Sequence, residues 1–381
     1  MTTPDPDTRR GDPAERGDAA LKALLRPELA DLEAYAPKTP AGIVVRLDAN
    51  EAPPSASPKV REAVARGVSK VALEQYPDAR AGELRAALAS RTGARAEDLL
   101  IGTGSDEIIA LLATALARPR AGAPQAIVLT PTPTFVMYRV TSRAHGLKPV
   151  EVPLDPAWDL DADTMERAIE MMRPNLVYIA SPNNPTGNRV SEARLERVLS
   201  AAEDALVVLD EAYVDYATGG TLRGWRARYP HLAILRTLSK VGLAALRIGW
   251  LEASPALVRE VDKARQPFNV SAVSQAAAAA VLDEAWDAIE EDILFVVAER
   301  ERVAREIADL PGFKVTPSDA NFVWVKTPRP AEQIFEELSA RGILVRSFHR
   351  TGGRLASQLR ITIGSAADND RLLDALRRDA K

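Results

Sequence analysis

The sequence predicts an α/β fold: a mostly parallel seven-stranded sheet in a large domain, covered by helices, with a smaller α+β domain after it. Three observations carry this reading. Seven short runs that are apolar at nearly every position recur between residues 99 and 251, and a strand buried on both faces reads that way. Helical patterns fill most of the gaps between the runs, as crossover connections between parallel strands require. Beyond about residue 270 the alternation stops, and a long helical stretch rich in Ala, Glu and Arg gives way to short strands and helices.

The length of 381 residues argues for two domains or one large domain with an appendage. The predicted division is an unstructured tail over 1–20, an arm over 21–44 that joins the small domain, a large domain over 45–272 and a small domain over 273–381. Hydrophobic residues make up 46% and charged residues 27%, ordinary for a globular protein. The net charge of −4 gives no sign of the basic face that a nucleic-acid binder needs, and none is expected as a partner. Cysteine is absent, which excludes disulfides and thiolate metal sites and suits a cytoplasmic protein. His145, His231 and His349 stand far apart, so no histidine metal site is expected. The apolar stretches, such as 276–282, are too short to span a bilayer. The polar opening MTTPDPDTRRGDPAERGD lacks the apolar segment of a signal peptide.

Taken in order, residues 21–32 have helical character and lead through Tyr35 and PKTP to an extended segment, IVVRL, which ends in DANE at 48–51. A helix over 58–67 closes on Gly67. The tripeptide YPD, with Tyr76, precedes a helix over 81–91. The seven predicted strands lie at 99–101, 126–129, 149–152, 176–180, 205–209, 233–236 and 248–251, with helices at 106–117 and 191–202 among those between them. Then follow a helical region over 274–310, a strand at 321–326, a helix at 331–341, strands at 343–346 and 358–363 and a last helix.

The residues that carry chemistry cluster at predicted strand ends. Lys240, in TLSK, stands just past an apolar run, where α/β folds bind ligands. Thr237, Ser239 and Arg247 flank it and suit an anion. LLIGTGSDE runs a strand through Gly102 and Gly104 into a helix opening at Ser105 or Asp106, whose first-turn N–H groups would hold a phosphate. A dinucleotide fingerprint wants glycine at the position of Glu107, so a nicotinamide cofactor is disfavoured. Phe135, near a strand end, offers a flat face to a planar ring, whereas Tyr138 reads as a core aromatic. SPNNPTG reads as a turn that presents Asn184 as a hydrogen-bond donor. Asp210 ends an apolar run, where a carboxylate needs a partner: an N-cap, an ion pair or a protonated ring nitrogen. Tyr213 follows three residues on. Arg346 and Arg360, at or within the last strands, suit a carboxylate or phosphate.

Together these segments, with LDANEAP, GLAALRIG, ANFVWV, GILVR and LRITIG, resemble the fold-type-I pyridoxal-phosphate aminotransferases over about residues 35–363. The resemblance implies the PLP-dependent transferase fold and pyridoxal 5′-phosphate bound through Lys240. It implies that Ser105, Asp106, Thr237, Ser239 and Arg247 hold the cofactor phosphate and that Phe135 stacks on the ring. Asn184 and Tyr213 would bond the 3′-oxygen and Asp210 the ring nitrogen. Tyr76 would cross to the cofactor of a second subunit, which implies a homodimer. Tyr35, Asn50, Arg346 and Arg360 match positions that contact substrate. Two departures are Phe135, where the family often has tyrosine, and a spacing from Lys240 to Arg247 one residue shorter than in many relatives. The implied reaction exchanges an amino group between a phosphorylated amino alcohol and a 2-oxo acid. Aromatic amino-acid transamination and threonine-phosphate decarboxylation are alternatives on the same scaffold.

Overall fold

The computed structural model describes residue 18, residues 20–29, residue 32 and residues 39–379. Most of the tail predicted over 1–20, and Tyr35, lie outside the described residues. Of the helical stretch predicted over 21–32, residues 18 and 20–23 are helical and a 3-10 turn follows at Pro27–Leu29.

From residue 45 the order is β1 (Val45–Leu47), α1 (Lys59–Val68), α2 (Gly82–Thr92), β2 (Leu99–Thr103), α3 (Gly104–Ala115), β3 (Ile127–Thr132), α4 (Met137–Ala144) and β4 (Lys148–Pro153). Then come α5 (Ala162–Met172), β5 (Leu176–Ala180), α6 (Glu192–Ala201), β6 (Leu206–Asp210), β7 (Leu232–Thr237), β8 (Ile248–Glu252), α7 (Pro255–Asp262) and α8 (Ala272–Glu284). The chain finishes with α9 (Trp286–Ala308), β9 (Lys314–Thr316), β10 (Phe322–Lys326), α10 (Ala331–Ala340), β11 (Ile343–Ser347), β12 (Gln358–Thr362) and α11 (Ala366–Asp379).

The seven predicted strands form one sheet, in the order β2-β8-β7-β6-β5-β3-β4. Its pairs are parallel except where β8 runs antiparallel to both β7 and β2. The period of two in each strand explains why the runs are continuously apolar. In β5, Val177 and Ile179 pack with Leu195 and Leu199 of α6 and Ile169 of α5. Leu176 and Tyr178 point the other way, to Ile108 and Leu112 of α3 and Tyr138 of α4. Each such aliphatic side chain contributes roughly 1.5–3 kcal/mol on burial, so neither face tolerates a polar residue without a partner.

The second sheet has five strands, β1-β11-β12-β10-β9. Three expectations are corrected. Val45–Leu47 pairs in parallel with Ile343, Leu344 and Val345, so these residues join the small sheet although the predicted boundary gave them to the large domain. The boundary at 272 also falls wrongly. The helical region over 274–310 breaks at Ala285, and α8 contributes Ala278, Val281 and Leu282 to the core built by Val60, Leu84, Leu88 and Trp250. Gly67 does not close α1, which continues to Val68. A Cβ there would lie 2.5 Å from the Ala276 carbonyl oxygen, so the glycine permits close packing of α1 on α8. Among the described residues, no helix is long and apolar enough to cross a membrane.

Candidate active site

Because β2, β3, β5, β6 and β7 run the same way, their carboxyl ends deliver five segments to one edge of the sheet, the usual ligand crevice of such folds. These are Gly104–Asp106 at the start of α3, Phe135, the SPNNPTG turn, Asp210 to Tyr213, and Ser239 to Arg247.

The first and last of these make an anion cradle. Gly104 has φ +79°, and Gly249 of β8 passes so close beneath it that a Cβ on Gly249 would lie 2.4 Å from Gly104 C and Ser105 N. Only glycine fits there. The first N–H groups of α3 have no acceptor within the helix, and the positive end of its dipole faces the same point. Glu107 supports the turn by accepting from the Thr103 N–H (2.5 Å), the Thr103 hydroxyl (2.7 Å) and Asn269 Nδ2 (2.8 Å). Arg247, at φ 53°, donates from Nη1 to Ser239 Oγ at 3.2 Å and lies 3.5 Å from the Asp106 carboxylate. The shorter lysine-to-arginine spacing therefore still brings this guanidinium to the cradle. Thr237 Oγ1 is 2.9 Å from Ser239 Oγ and takes the Ser239 N–H at 3.0 Å.

Asp210 lies at the centre, buried at the end of β6. Its Oδ1 accepts the Ala212 N–H at 2.9 Å and its Oδ2 accepts the Tyr138 hydroxyl at 2.6 Å. Burial pushes its carboxyl up to about 6; the Tyr138 and Ala212 bonds oppose this, the nearby Asp106 charge adds to it, and the Lys240 charge opposes it. Phe135 stands edge-on to Tyr138, with ring centroids 5.5 Å apart. The Lys240 amine is 5.8 Å from the centroid of the Tyr213 ring, and the Lys240 carbonyl accepts the Tyr216 hydroxyl at 2.6 Å.

The small domain closes the crevice. Asn50, at φ 56°, a conformation that asparagine tolerates better than most residues, donates from Nδ2 to the Tyr213 hydroxyl at 2.9 Å. It is anchored by Thr362 and Asn321. Arg360 is 9% exposed and donates to Asn184 Oδ1 at 2.7 Å and to the Asp48 carbonyl. Arg346 is its cross-strand partner in the β11–β12 pair, so the two share a sheet face, but Arg346 is exposed. Tyr76 stands apart, 82% exposed and stacked on Phe268 at 4.7 Å. Asp78 caps α2 by accepting the Gly82 N–H at 2.6 Å, which fixes the YPD turn.

Three residues that the sequence reading left out belong to this assembly. Tyr138 is a core aromatic, as read, but its hydroxyl reaches Asp210. Tyr216 holds the backbone of Lys240. Asn183 locks the turn that carries Asn184, bonding Thr134, the Pro133 carbonyl and Thr186 at 2.8–3.0 Å. The density of hydrogen-bonding residues in PTPT and SPNNPTG was the available signal for Asn183. For the two tyrosines none was available, because a helix-borne or loop-borne tyrosine in an apolar setting reads as packing.

The family model of aminotransferase class I and II matches residues 42–376. The histidinol-phosphate aminotransferase of Paracidovorax citrulli is 40% identical over 365 residues, covering 94% of this chain and 98% of that protein. That of Aquifex aeolicus is 38% identical, with 94% and 98% covered. The crystal structure of histidinol-phosphate aminotransferase from Sinorhizobium meliloti in complex with pyridoxal-5′-phosphate matches with a TM-score of 0.81 at 29% identity, over 94% of this chain and 98% of that one. The fold is thus that of the fold-type-I transferases, and the chain belongs to the aminotransferase class I and II family. The relatives just quoted within that family all bear the name histidinol-phosphate aminotransferase.

Proposed function

We propose that this protein transfers an amino group between L-histidinol phosphate and 2-oxoglutarate, giving imidazole acetol phosphate and glutamate, with pyridoxal 5′-phosphate bound at Lys240. The observation that carries this reading is the convergence of an anion cradle, a lysine and a buried carboxylate on one sheet edge, with Arg360 buried against Asn184 beside them. The residues fit the cofactor. The Gly104–Gly249 approach leaves the first turn of α3 open to an anion, and Arg247, Ser239 and Thr237 supply charge and hydroxyls for a phosphate. A carboxylate buried at Asp210 matches a protonated ring nitrogen. Phe135 provides the stacking face, and Asn184 and Tyr213 the contacts to the ring oxygen. Tyr35 and Asn50 are assigned to the substrate side.

When bound, pyridoxal phosphate supplies an electron sink for the bond broken at the substrate carbon. The protein does the rest. The Lys240 amine, beyond the end of β7 and beside the Tyr213 ring, would move the proton at the substrate carbon. Asp210 holds the ring N–H. Arg360 and Arg346 receive the substrate anion, a phosphate in one half-reaction and a carboxylate in the other. Arg360 already occupies the crevice on Asn184, so the incoming anion replaces a neutral amide acceptor with a charged one.

The test is to mix the cofactor-loaded protein with L-histidinol phosphate, without an acceptor, and follow the cofactor absorbance. Rapid conversion to the pyridoxamine phosphate band is expected. Conversion by phenylalanine or tyrosine but not by histidinol phosphate would overturn the substrate assignment and leave the fold reading intact. The exposed Tyr76–Phe268 stack supports a homodimer in which Tyr76 reaches the other subunit's cofactor. Light scattering should give twice the chain mass; a monomeric mass for the active protein would refute the crossing. The cytoplasm is the proposed compartment, on the absence of cysteine, and fractionation of the native cell should find the protein in the soluble fraction rather than with membranes.

A further inference from the structure

The geometry points to Tyr138 as a positioning residue for Asp210: its phenol fixes the orientation of the carboxylate and keeps it ionised in a dry site. The inference rests on the cofactor reading above. Tyr138 is the second residue of α4, fully buried, with its hydroxyl 2.6 Å from Asp210 Oδ2. Its ring is clamped. It stacks on Tyr178 with centroids 4.6 Å apart and planes 2° from parallel, and Phe135 meets it edge-on. A phenol held this way has little freedom to turn from the carboxylate. Burial, and then the Asp210 charge, push its ionisation well above the usual tyrosine range, so it remains a donor.

Asp210 needs such a donor. Its carboxylate accepts from Ala212 and Tyr138, one bond to each oxygen, which leaves one lone-pair direction on each for a ligand. The other titratable groups that act on it are Asp106 at the start of α3, whose charge favours protonation, and Lys240 after β7, whose charge opposes it; Tyr178 of β5 and Tyr213 after β6 act on the Tyr138 side of the pair. A hydrogen bond to the charged form favours that form. Without the phenol, Asp210 would take up a proton at a higher pH, and a protonated carboxyl cannot accept from a ring N–H.

Tyr178 provides the internal control. Its hydroxyl is buried and has no hydrogen-bond partner among the described residues, although its ring stacks on Tyr138. Removing that hydroxyl disturbs the aromatic column without touching Asp210.

The experiment measures binding of pyridoxamine 5′-phosphate to apoprotein, by fluorescence quenching, from pH 5.5 to 9. This ligand carries the same ring and phosphate but cannot bond covalently to Lys240. Wild type should bind well at high pH and weaken as pH falls and Asp210 protonates. Tyr138→Phe should bind within about 1.5-fold of wild type at pH 9, roughly threefold more weakly near pH 6.5 and roughly eightfold more weakly at pH 5.5, with its break moved up by about one pH unit. Tyr178→Phe should retain the wild-type profile. In an Asp210→Asn background, Tyr138→Phe should no longer change the profile, and this pair also tests the proposal if the single variant folds poorly. A Tyr138→Phe profile parallel to wild type at every pH, or an equal shift in Tyr178→Phe, would overturn the positioning role. Failure of wild type itself to bind pyridoxamine phosphate would instead overturn the cofactor reading, and the inference with it.

Discussion

Lys240→Ala is expected to abolish turnover while leaving the fold and its thermal stability in place. The expectation has two physical parts. The side chain is only half-buried, and what its position contributes to the architecture is the backbone carbonyl that accepts the Tyr216 hydroxyl, which alanine keeps. Little packing is lost, so Tm should move by no more than a few degrees. The chemical loss is far larger. In its proposed role the amine is both the nucleophile that anchors the cofactor and the base that moves the proton, and a positioned acid–base alone contributes about 10²–10⁴ in rate. Loss of both functions should lower kcat by at least about 10⁴-fold. The variant should still take up pyridoxal phosphate through the Arg247–Ser239–α3 cradle, but without the absorbance band of the lysine-bound cofactor. Steady-state assay, absorbance and a melting curve on one preparation decide the matter. Turnover within tenfold of wild type would refute the assignment of Lys240. Loss of the melting transition would mean that the residue is structural after all.

How much of this was legible beforehand depended on whether the signal was local. The seven strands of the large sheet were readable because strands such as β5 and β7 are covered on both faces and so are apolar almost throughout. The three-residue edge strand β9, partly exposed along its length, leaves no such run and was not anticipated. Neither was the pairing of β1 with β11, which joins segments 298 residues apart in sequence, Val45 with Ile343. Nothing in IVVRL says which sheet it enters. The division of the helical region at Ala285 was hidden for a related reason. Alanine, glutamate and arginine are good helix formers on either side, and only packing of α8 against α1 and α2 assigns that helix to the first core.

The site followed the same division. Residues at strand ends, Lys240, Asp210 and Asn184, announced themselves because polar groups there contradict the apolar runs before them. Their supports did not. Tyr138 lies 72 residues from Asp210 in sequence and Tyr216 lies 24 from Lys240, and both look like ordinary core tyrosines until the tertiary structure aims their hydroxyls. Arg346 and Arg360 looked equivalent in sequence, yet the structure buries one against Asn184 and leaves the other at the rim.

Asp210→Asn should cost activity by about 10²–10⁴-fold while leaving stability unchanged or slightly raised, and the opposite signs of the two effects make it informative. The substitution is nearly isosteric. The amide can turn its oxygen to the Ala212 N–H and its NH₂ to the Tyr138 hydroxyl, which accepts as readily as it donates. Both existing contacts at 2.9 and 2.6 Å therefore survive. Burial of the charge, the main cause of the upward shift at this carboxyl, is removed, so the folded state gains if anything. The ligand loses its counter-charge. A neutral amide oxygen does not hold a proton on the ring nitrogen as a carboxylate does, and the electron sink weakens accordingly. The pH profile supplies a second readout. In wild type Asp210 loses its charge as pH falls through about 6, before bound cofactor adds its own pull toward ionisation. The acid limb of ligand binding contributed by this group should therefore disappear in the asparagine variant. Near-wild-type kcat/KM in Asp210→Asn would contradict the ring-nitrogen role, whereas a lowered Tm with proportionate loss of activity would mark the carboxylate as a structural partner of Tyr138.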